Sequence, residues 1–489
     1  LAQRIDALLA RQQAAVQVTP APLASDAEFL RRVTLDLAGR IPYAHETQAF
    51  LTDARTDKRA RVIEQLLAGS GYAAHFTQFW RGVLLPEASA SIEGRVLAPG
   101  FEAWLQQKLT ADTSWDRVVQ ELLTLPISAE RGQLQRGNLG QVSPSAFYAA
   151  KEAKPENLAA STARALLGVQ LECAQCHNHP FAAWTREQFW SLAAFFAGIE
   201  RTGPTAFQPL REIVERRELA IPGTERVVQA TFLDDQEPQW KHRTSARIAL
   251  ADWVTAPANP YFAKATVNRL WGALFGVGIV DPVDDFNDNN APSHPAVLDE
   301  LARAFVASGF DLKYVLRTLA LTSAYQRSSA QNPPSDLRWF ARHPVRSLTG
   351  AQLFDSLSVA TGYVPSPAEA RNPFDSTRIR FLTNFAASQR PTEAQTSILQ
   401  ALTLMNGQFV AGATGTPSLE QGRTLQALLA FEQPTADRID TLYLTALSRL
   451  PTESERGRVQ AYLGAKPKPR QWGDVFWALL NSAEFRLNH

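Results

Sequence analysis

Pro155-Glu156-Asn157-Leu158-Ala159-Ala160-Ser161-Thr162-Ala163-Arg164-Ala165-Leu166-Leu167-Gly168-Val169 runs directly into Gln170-Leu171-Glu172-Cys173-Ala174-Gln175-Cys176-His177-Asn178-His179-Pro180-Phe181. The first half reads as a helix opened by proline, because Leu158, Thr162, Ala165, Leu166 and Val169 recur at helical spacing. The second half holds both cysteines of the chain, placed where that helix should end. Downstream, Thr185 and Gln188 form a capping box ahead of Phe189, Leu192, Ala193 and Phe196. The cysteine segment therefore joins two amphipathic helices.

Outward from this stretch the pattern stays helical. Ala27 to Leu37 carries Phe29, Leu30, Val33 and Leu37 on one face and stops at Gly39 and Pro42. Asp57 is expected to cap Lys58 to Ala68, with Gly69 just past the end. The period changes between roughly 205 and 235, where Arg211 to Leu219 and Arg226 to Phe232 flank Pro222-Gly223, the signature of a small hairpin or extended linker. Helical patterning resumes near Arg243, with loops at 281 to 296, 329 to 336, 364 to 376 and 411 to 418. The expected fold is mainly α, a multi-helical two-domain protein with a small β hairpin or extended linker between the halves. The expected domains are a helical domain over 1–204 carrying C-x-x-C-H, a hairpin or linker over 205–240, and a helical domain over 241–489.

Composition bounds the chemistry. Two cysteines in 489 residues cannot make a disulfide scaffold, so a core must hold the fold, and 45% hydrophobic residues make one feasible. Lys+Arg 49 against Asp+Glu 48 leaves a net charge of +1, which argues against a nucleic-acid partner. No apolar run approaches the roughly 20 residues of a membrane span. No G-x-S-x-G elbow, P-loop or dinucleotide fingerprint is present, which leaves serine hydrolysis and nucleotide chemistry without support. No secretory leader precedes Leu1, so the sequence reads as a mature or trimmed chain. Export to the periplasm or cell surface is inferred from the cysteine motif.

C-x-x-C-H is the attachment sequence of c-type haem, in which two thiols form thioethers and the adjacent imidazole is delivered to the iron. The same residues suit a disulfide or dithiol, or a zinc site using Cys173, Cys176 and His177 or His179 with further histidines. On the motif alone all three uses stay open. In the haem reading Cys173 and Cys176 attach the group, His177 is its proximal ligand, and Phe181, Trp184, Phe189 and Phe196 wall a deep apolar slot. Two residues of chain do not reach from one haem face to the other, which makes His179 an outer hydrogen-bonding group or a zinc ligand. His294, in a loop opened by Pro292-Ser293, is the distal candidate, against a reading as a structural histidine capping the next helix. Met405 is expected to fill core within a helix Thr396 to Asn406. Trp271, Phe275, Phe286 and the Pro292 to Pro295 loop are expected to cover the cysteine segment.

Two polar clusters have competing readings. Asp281 to Asn290 gathers oxygen donors of the kind that suit calcium. It lacks the EF-hand glycine and glutamate, and Asp and Asn are also what turns use. Arg31, Arg32 and Asp36 read as a buried ion-pair network pinning the first helix rather than as an anion clamp.

These residues carry a resemblance. Glu28-Phe29-Leu30-Arg31-Arg32-Val33-Thr34-Leu35-Asp36-Leu37-Ala38-Gly39-Arg40-Ile41-Pro42, Asp57-Lys58-Arg59, Cys173 to Phe181, Trp184 and Leu192-Ala193-Ala194-Phe195-Phe196 resemble the planctomycete-type cytochrome C family. Asn259-Pro260-Tyr261-Phe262-Ala263, Val267-Asn268-Arg269-Leu270-Trp271, Val283-Asp284-Asp285-Phe286, Pro292-Ser293-His294-Pro295 and Leu479-Leu480-Asn481-Ser482-Ala483-Glu484-Phe485 resemble the planctomycete-specific domain that accompanies it. The resemblance implies a periplasmic or surface protein, often encoded beside a sulfatase-superfamily-like partner, and no enzymatic activity is carried over. The expected function is an exported haem c-binding redox protein, in electron transfer or as a haem-dependent oxidoreductase, with a redox protein or that sulfatase-like protein as partner. The alternative is a non-haem scaffold with a structural zinc or disulfide site, whose function is partner binding.

Overall fold

A computed structural model describes residues 1–89, 92–127, 142–203, 210–330, 334–366, 369, 376–383, 385, 405, 407–415 and 422–489. Of the described residues 58% are helical, and the strands among them form only small antiparallel hairpins, as the periodicity predicts. The helices begin and end on local chemistry. Ser25 accepts the Glu28 N–H to start Asp26–Ala38, and Gly39 ends it in the left-handed region with its N–H on Leu35 O. Thr185 and Gln188 form the expected reciprocal box at Arg186–Ala193. The helix Pro155–Thr162 continues as a single π turn, Ala163–Leu167, and stops at Gly168 (φ 68°). A Cβ at Gly168 would lie 2.8 Å from the Phe286 ring, so both backbone conformation and close approach require glycine.

The period-2 region forms two hairpins. Ile199–Arg201 pairs antiparallel with Leu210–Glu212, and Glu218–Ala220 with Val227–Gln229 across the Pro222-Gly223 turn. A third, two-residue pairing sets Arg346 opposite Asn488 and Ser347 opposite Leu487.

The chain falls into two compact units, each discontinuous in sequence. The first collects Leu1–Ala10, Ala73–Ala273 and Val277–Leu319; the second collects Arg11–Tyr72, Leu274–Gly276 and Ala320–His489. The units differ from a division at 205–240, because both hairpins belong to the first unit. There Glu218–Ala220 and Val227–Gln229 pack on the Arg186–Ala193 helix, which in turn packs on Pro155–Thr162. In the same unit Trp115–Leu123 packs on Ala246–Val254, and Trp115 stacks on Trp80 at 4.1 Å.

The second unit is built around Asp26–Ala38, which packs on Ala44–Thr52 and Lys58–Ala68. Its core joins Leu35 and Ile41 to Leu353, Phe354, Trp472, Phe476 and Phe485. Arg31, Arg32 and Asp36 are buried, and their partners explain why residues 11–72 group with the C-terminal segments. Arg31 donates to the carbonyls of Ala446, Glu484 and Phe485, and Arg32 to those of Tyr325, Arg327 and His489 and to the Glu28 carboxylate. Asp36 accepts from Tyr325 Oη, Arg346 and Asn488. The structural reading of this cluster is the correct one. The helix expected over Thr396 to Asn406 lies outside the described residues except for Met405, which is 46% exposed and so fills no core.

Candidate functional site

The cysteine segment is a short 3-10 turn, Glu172–Gln175, followed by an irregular loop into the Arg186–Ala193 helix. Ala174 is its buried anchor, while Cys173 and Cys176 are free thiols at the surface. His177 is also exposed, and its Nδ1 lies 2.7 Å from Asn178 O. A carbonyl only accepts, so Nδ1 carries the proton and Nε2 presents its lone pair. The segment thus offers two thiols and an imidazole nitrogen that its own hydrogen bonds leave unspent.

The loop is fixed from several sides. The His179 N–H donates to Trp184 O at 2.8 Å, and His179 Nδ1 accepts the Phe181 N–H at 3.2 Å. Arg186 donates its N–H to Asn178 Oδ1, its Nε to Gln175 O, and Nη2 to Pro222 O in the hairpin turn. Trp190 Nε1 donates to the same Gln175 carbonyl. Sequence reasoning passed over Asn178, Arg186 and Trp190. Their signal was position: a polar residue between two histidines, and the two residues of the following helix that face back toward the turn.

Residues 281–290 brace the approach to the motif within the same unit. Phe286 N–H donates to Gly168 O, and Asp284 accepts from Arg164 Nε at 2.8 Å and Gln170 Nε2 at 3.1 Å. Asn289 Nδ2 donates to Phe181 O. Burial pulls the Asp284 carboxyl up, and Arg164, Arg269 and Gln170 more than reverse this, leaving it below its ordinary range. The Asp284 partner raises Arg164, while burial lowers Arg269 to about 10. Asp285 Oδ1 accepts from Asn287 Nδ2 and Asn287 Oδ1 accepts the Asn289 N–H, so these two oxygens close turns on their own loop.

Several expectations need correction. Phe189 and Phe196 are fully buried in the core, so they cannot line a porphyrin slot. Phe181 is 74% exposed and Trp184 half-buried, so the Phe181 ring lies at the surface. The 281–290 loop braces the segment without covering it. His294 is buried at the N-cap of Pro295–Ala307, with Nδ1 3.1 Å from Ser293 Oγ, and its side chain makes no capping bond. Burial lowers it to about 4. Among the described residues no three His, Cys, Asp or Glu side chains group to hold a metal ion. His179 Nδ1 is spent on its own turn, where it accepts the Phe181 N–H.

Residues 4–201 match the family PSCyt2, described as a protein of unknown function (DUF1549), and residues 246–378 match PSD1, described as a protein of unknown function (DUF1553). Both are families typical of planctomycete cytochrome-C-associated proteins. No curated protein and no solved structure matches the chain.

Proposed function

We propose that the protein is an exported haem c-binding redox protein. The observation that supports this is the donor set at 173–177: two exposed free thiols, correctly spaced, beside an imidazole whose Nδ1–H is pinned so that Nε2 faces outward. These donors fit covalent haem. Bound there, the group supplies one-electron redox chemistry. Cys173 and Cys176 would hold it through thioethers, and His177 would be its imidazole ligand. Asn178 fixes the His177 tautomer, as the outer partner of an iron-bound histidine does. Phe181 and Trp184 offer aromatic surface beside these donors and would flank the group, leaving it within reach of a partner protein. The partner is a redox protein or a sulfatase-superfamily-like protein, and the location is the periplasm or cell surface.

The test is expression with a haem c assembly system, followed by the pyridine haemochrome spectrum of denatured protein. The expected spectrum is that of a haem joined by two thioethers, shifted toward the one-thioether form in Cys173→Ser or Cys176→Ser. Haem that extracts into acidified solvent, or two sulfurs bonded to each other, would overturn the reading.

A further inference from the structure

Three half-buried rings and three exposed carboxylates gather beside the cysteine segment, all within the first compact unit. Trp184, whose carbonyl accepts the His179 N–H, lies 6.4 Å from Tyr261 with the planes tilted 57°. Tyr261 lies 6.5 Å from Trp253 at 52°. Phe232 stacks on Trp253 at 5.0 Å with planes 5° apart and fixes that ring from one side. The tilts keep Trp184, Tyr261 and Trp253 from spending their faces on one another, since stacked rings lie parallel. These spacings also let an ion within about 6 Å of one ring centroid reach the neighbouring ring.

The carboxylates come from two loops. Asp234 Oδ2 accepts from Trp253 Nε1 at 3.1 Å, and Asp235 Oδ1 accepts at 3.2 Å from Nε2 of Gln188, in the capping box that follows Trp184. Asp288 precedes Asn289, whose Nδ2 donates to Phe181 O on the cysteine loop. Burial, with Asp234, Asp235 and Asp288 nearby, pushes the Tyr261 phenol up, and the charges acting on it are all carboxylates. Electron-rich ring faces and carboxylates both favour a positive charge. The hydrogen bonds decide its class. Asp234 and Asp235 already accept protein N–H groups, and ring faces need no donor, so an ion without N–H groups forfeits nothing here. A quaternary ammonium is such an ion, and it is less strongly hydrated than a primary ammonium.

We propose that Trp184, Tyr261 and Trp253, with Asp234, Asp235 and Asp288, form a binding site for a quaternary ammonium group carried by a small soluble molecule. The methyl groups of the ion lie against the ring faces, and the carboxylates supply the field that draws it in. Half-buried rings behind exposed carboxylates suit a single head group more than a broad protein face. Trp184 also flanks the group proposed at Cys173 and Cys176, so the two sites adjoin. Cation binding needs no occupant at the cysteines, and it neither makes nor breaks a covalent bond.

The test uses the haem-free chain with reduced thiols, titrated with choline and followed through the choline N-methyl signals by NMR. Saturable binding is expected, and 3,3-dimethylbutan-1-ol, the neutral carbon isostere of choline, should bind far more weakly. Tyr261→Leu should weaken choline binding about tenfold, whereas Tyr261→Phe, which keeps the ring, should preserve it. Asp235→Asn combined with Asp288→Asn spares the Trp253 to Asp234 bond and should weaken choline about fivefold, a loss that shrinks as salt rises. Circular dichroism verifies that the variants keep their helical content, and the carboxylate pair decides the matter if Tyr261→Leu does not fold. Choline bound no better than its isostere, or bound equally well by Tyr261→Leu or by the double Asn variant, overturns the proposal. So does tighter binding of N-acetyl-lysine methylamide than of choline, which would assign the face to a lysine of a partner protein. The haemochrome spectrum tests the cofactor separately, so failure of one reading is distinguishable from failure of the other.

Discussion

Arg32 and Asp36, in the buried cluster that also holds Arg31, and the polar segment at Cys173 to His177 differ sharply in how far their own chain satisfies them. Asp36 is 4% exposed, and its two oxygens accept from Tyr325 Oη at 2.7 Å, Arg346 at 2.7 and 2.9 Å and Asn488 at 2.7 Å. Arg32 is 0% exposed and holds three carbonyls and a carboxylate. The two thiols, by contrast, are exposed, and His177 holds a single carbonyl through one nitrogen. Buried polar groups must be matched by partners of their own chain, and once matched they have nothing left for a ligand. Exposed groups pinned in orientation retain their valence. The contrast separates what holds this protein together from what it has available for chemistry.

The largest expected effect lies in the buried cluster. Asp36→Ala leaves Arg346, Tyr325 and Asn488 facing an uncompensated cavity, and losing one member of a buried pair costs about 3–5 kcal/mol. Urea unfolding should register that loss, and a change under about 1 kcal/mol would break the comparison by showing the cluster to be dispensable.

A smaller effect separates His294 from the cysteine segment. Burial lowers its folded value to about 4, against 6.5 as the ordinary value. Between those values the unfolded chain binds more protons, so stability is fully present above pH 6.5 and is lost as pH falls toward 4. The contribution is on the order of 3 kcal/mol. Urea midpoints measured from pH 7 to pH 4 should fall less steeply in His294→Gln than in the parent. Identical slopes would mean that His294 is not held neutral by its surroundings. Thr185→Ala removes one half of the capping box that starts the helix behind the cysteine loop, at a cost of about 1 kcal/mol. Hydrogen exchange at Gln188, whose amide Thr185 caps, should rise more than exchange across Asp26–Ala38.

What the sequence could reveal divides along the same line. The Gly39 stop, the Thr185 and Gln188 box, and the Pro222-Gly223 hairpin were readable because each is closed by residues a few positions apart. The burial of Arg31 and Arg32 was also readable, since they share a helix with an apolar face, but their acceptors were not. Arg31 reaches Ala446, 415 positions away, and only the assembled fold determines which distant carbonyls arrive. The same limit explains the compact units, whose segments interleave, and the missing slot. Phe189 and Phe196 had the aromatic character expected of a cofactor wall, yet helical spacing cannot distinguish a side chain facing a ligand from one facing the core. The exposure of Phe181 was equally invisible, because it follows from an irregular loop set by Asn178, Arg186 and Asn289.

The smallest effect is the sharpest test of the contrast. In haem-free protein the double substitution Cys173→Ser and Cys176→Ser removes two exposed thiols that form no disulfide. A thiol to hydroxyl change at the surface, away from a cap or a buried network, stays within about 0.5 kcal/mol. The unfolding midpoint should therefore be unchanged, although the same double variant is expected to abolish the covalent haem proposed above under maturation conditions. A loss of several kcal/mol in the haem-free protein would instead mean that the sulfurs tie the Glu172–Gln175 turn to its surroundings. The cysteines would then belong with Arg31, Arg32 and Asp36 as part of the frame, and the scaffold reading would replace the redox one.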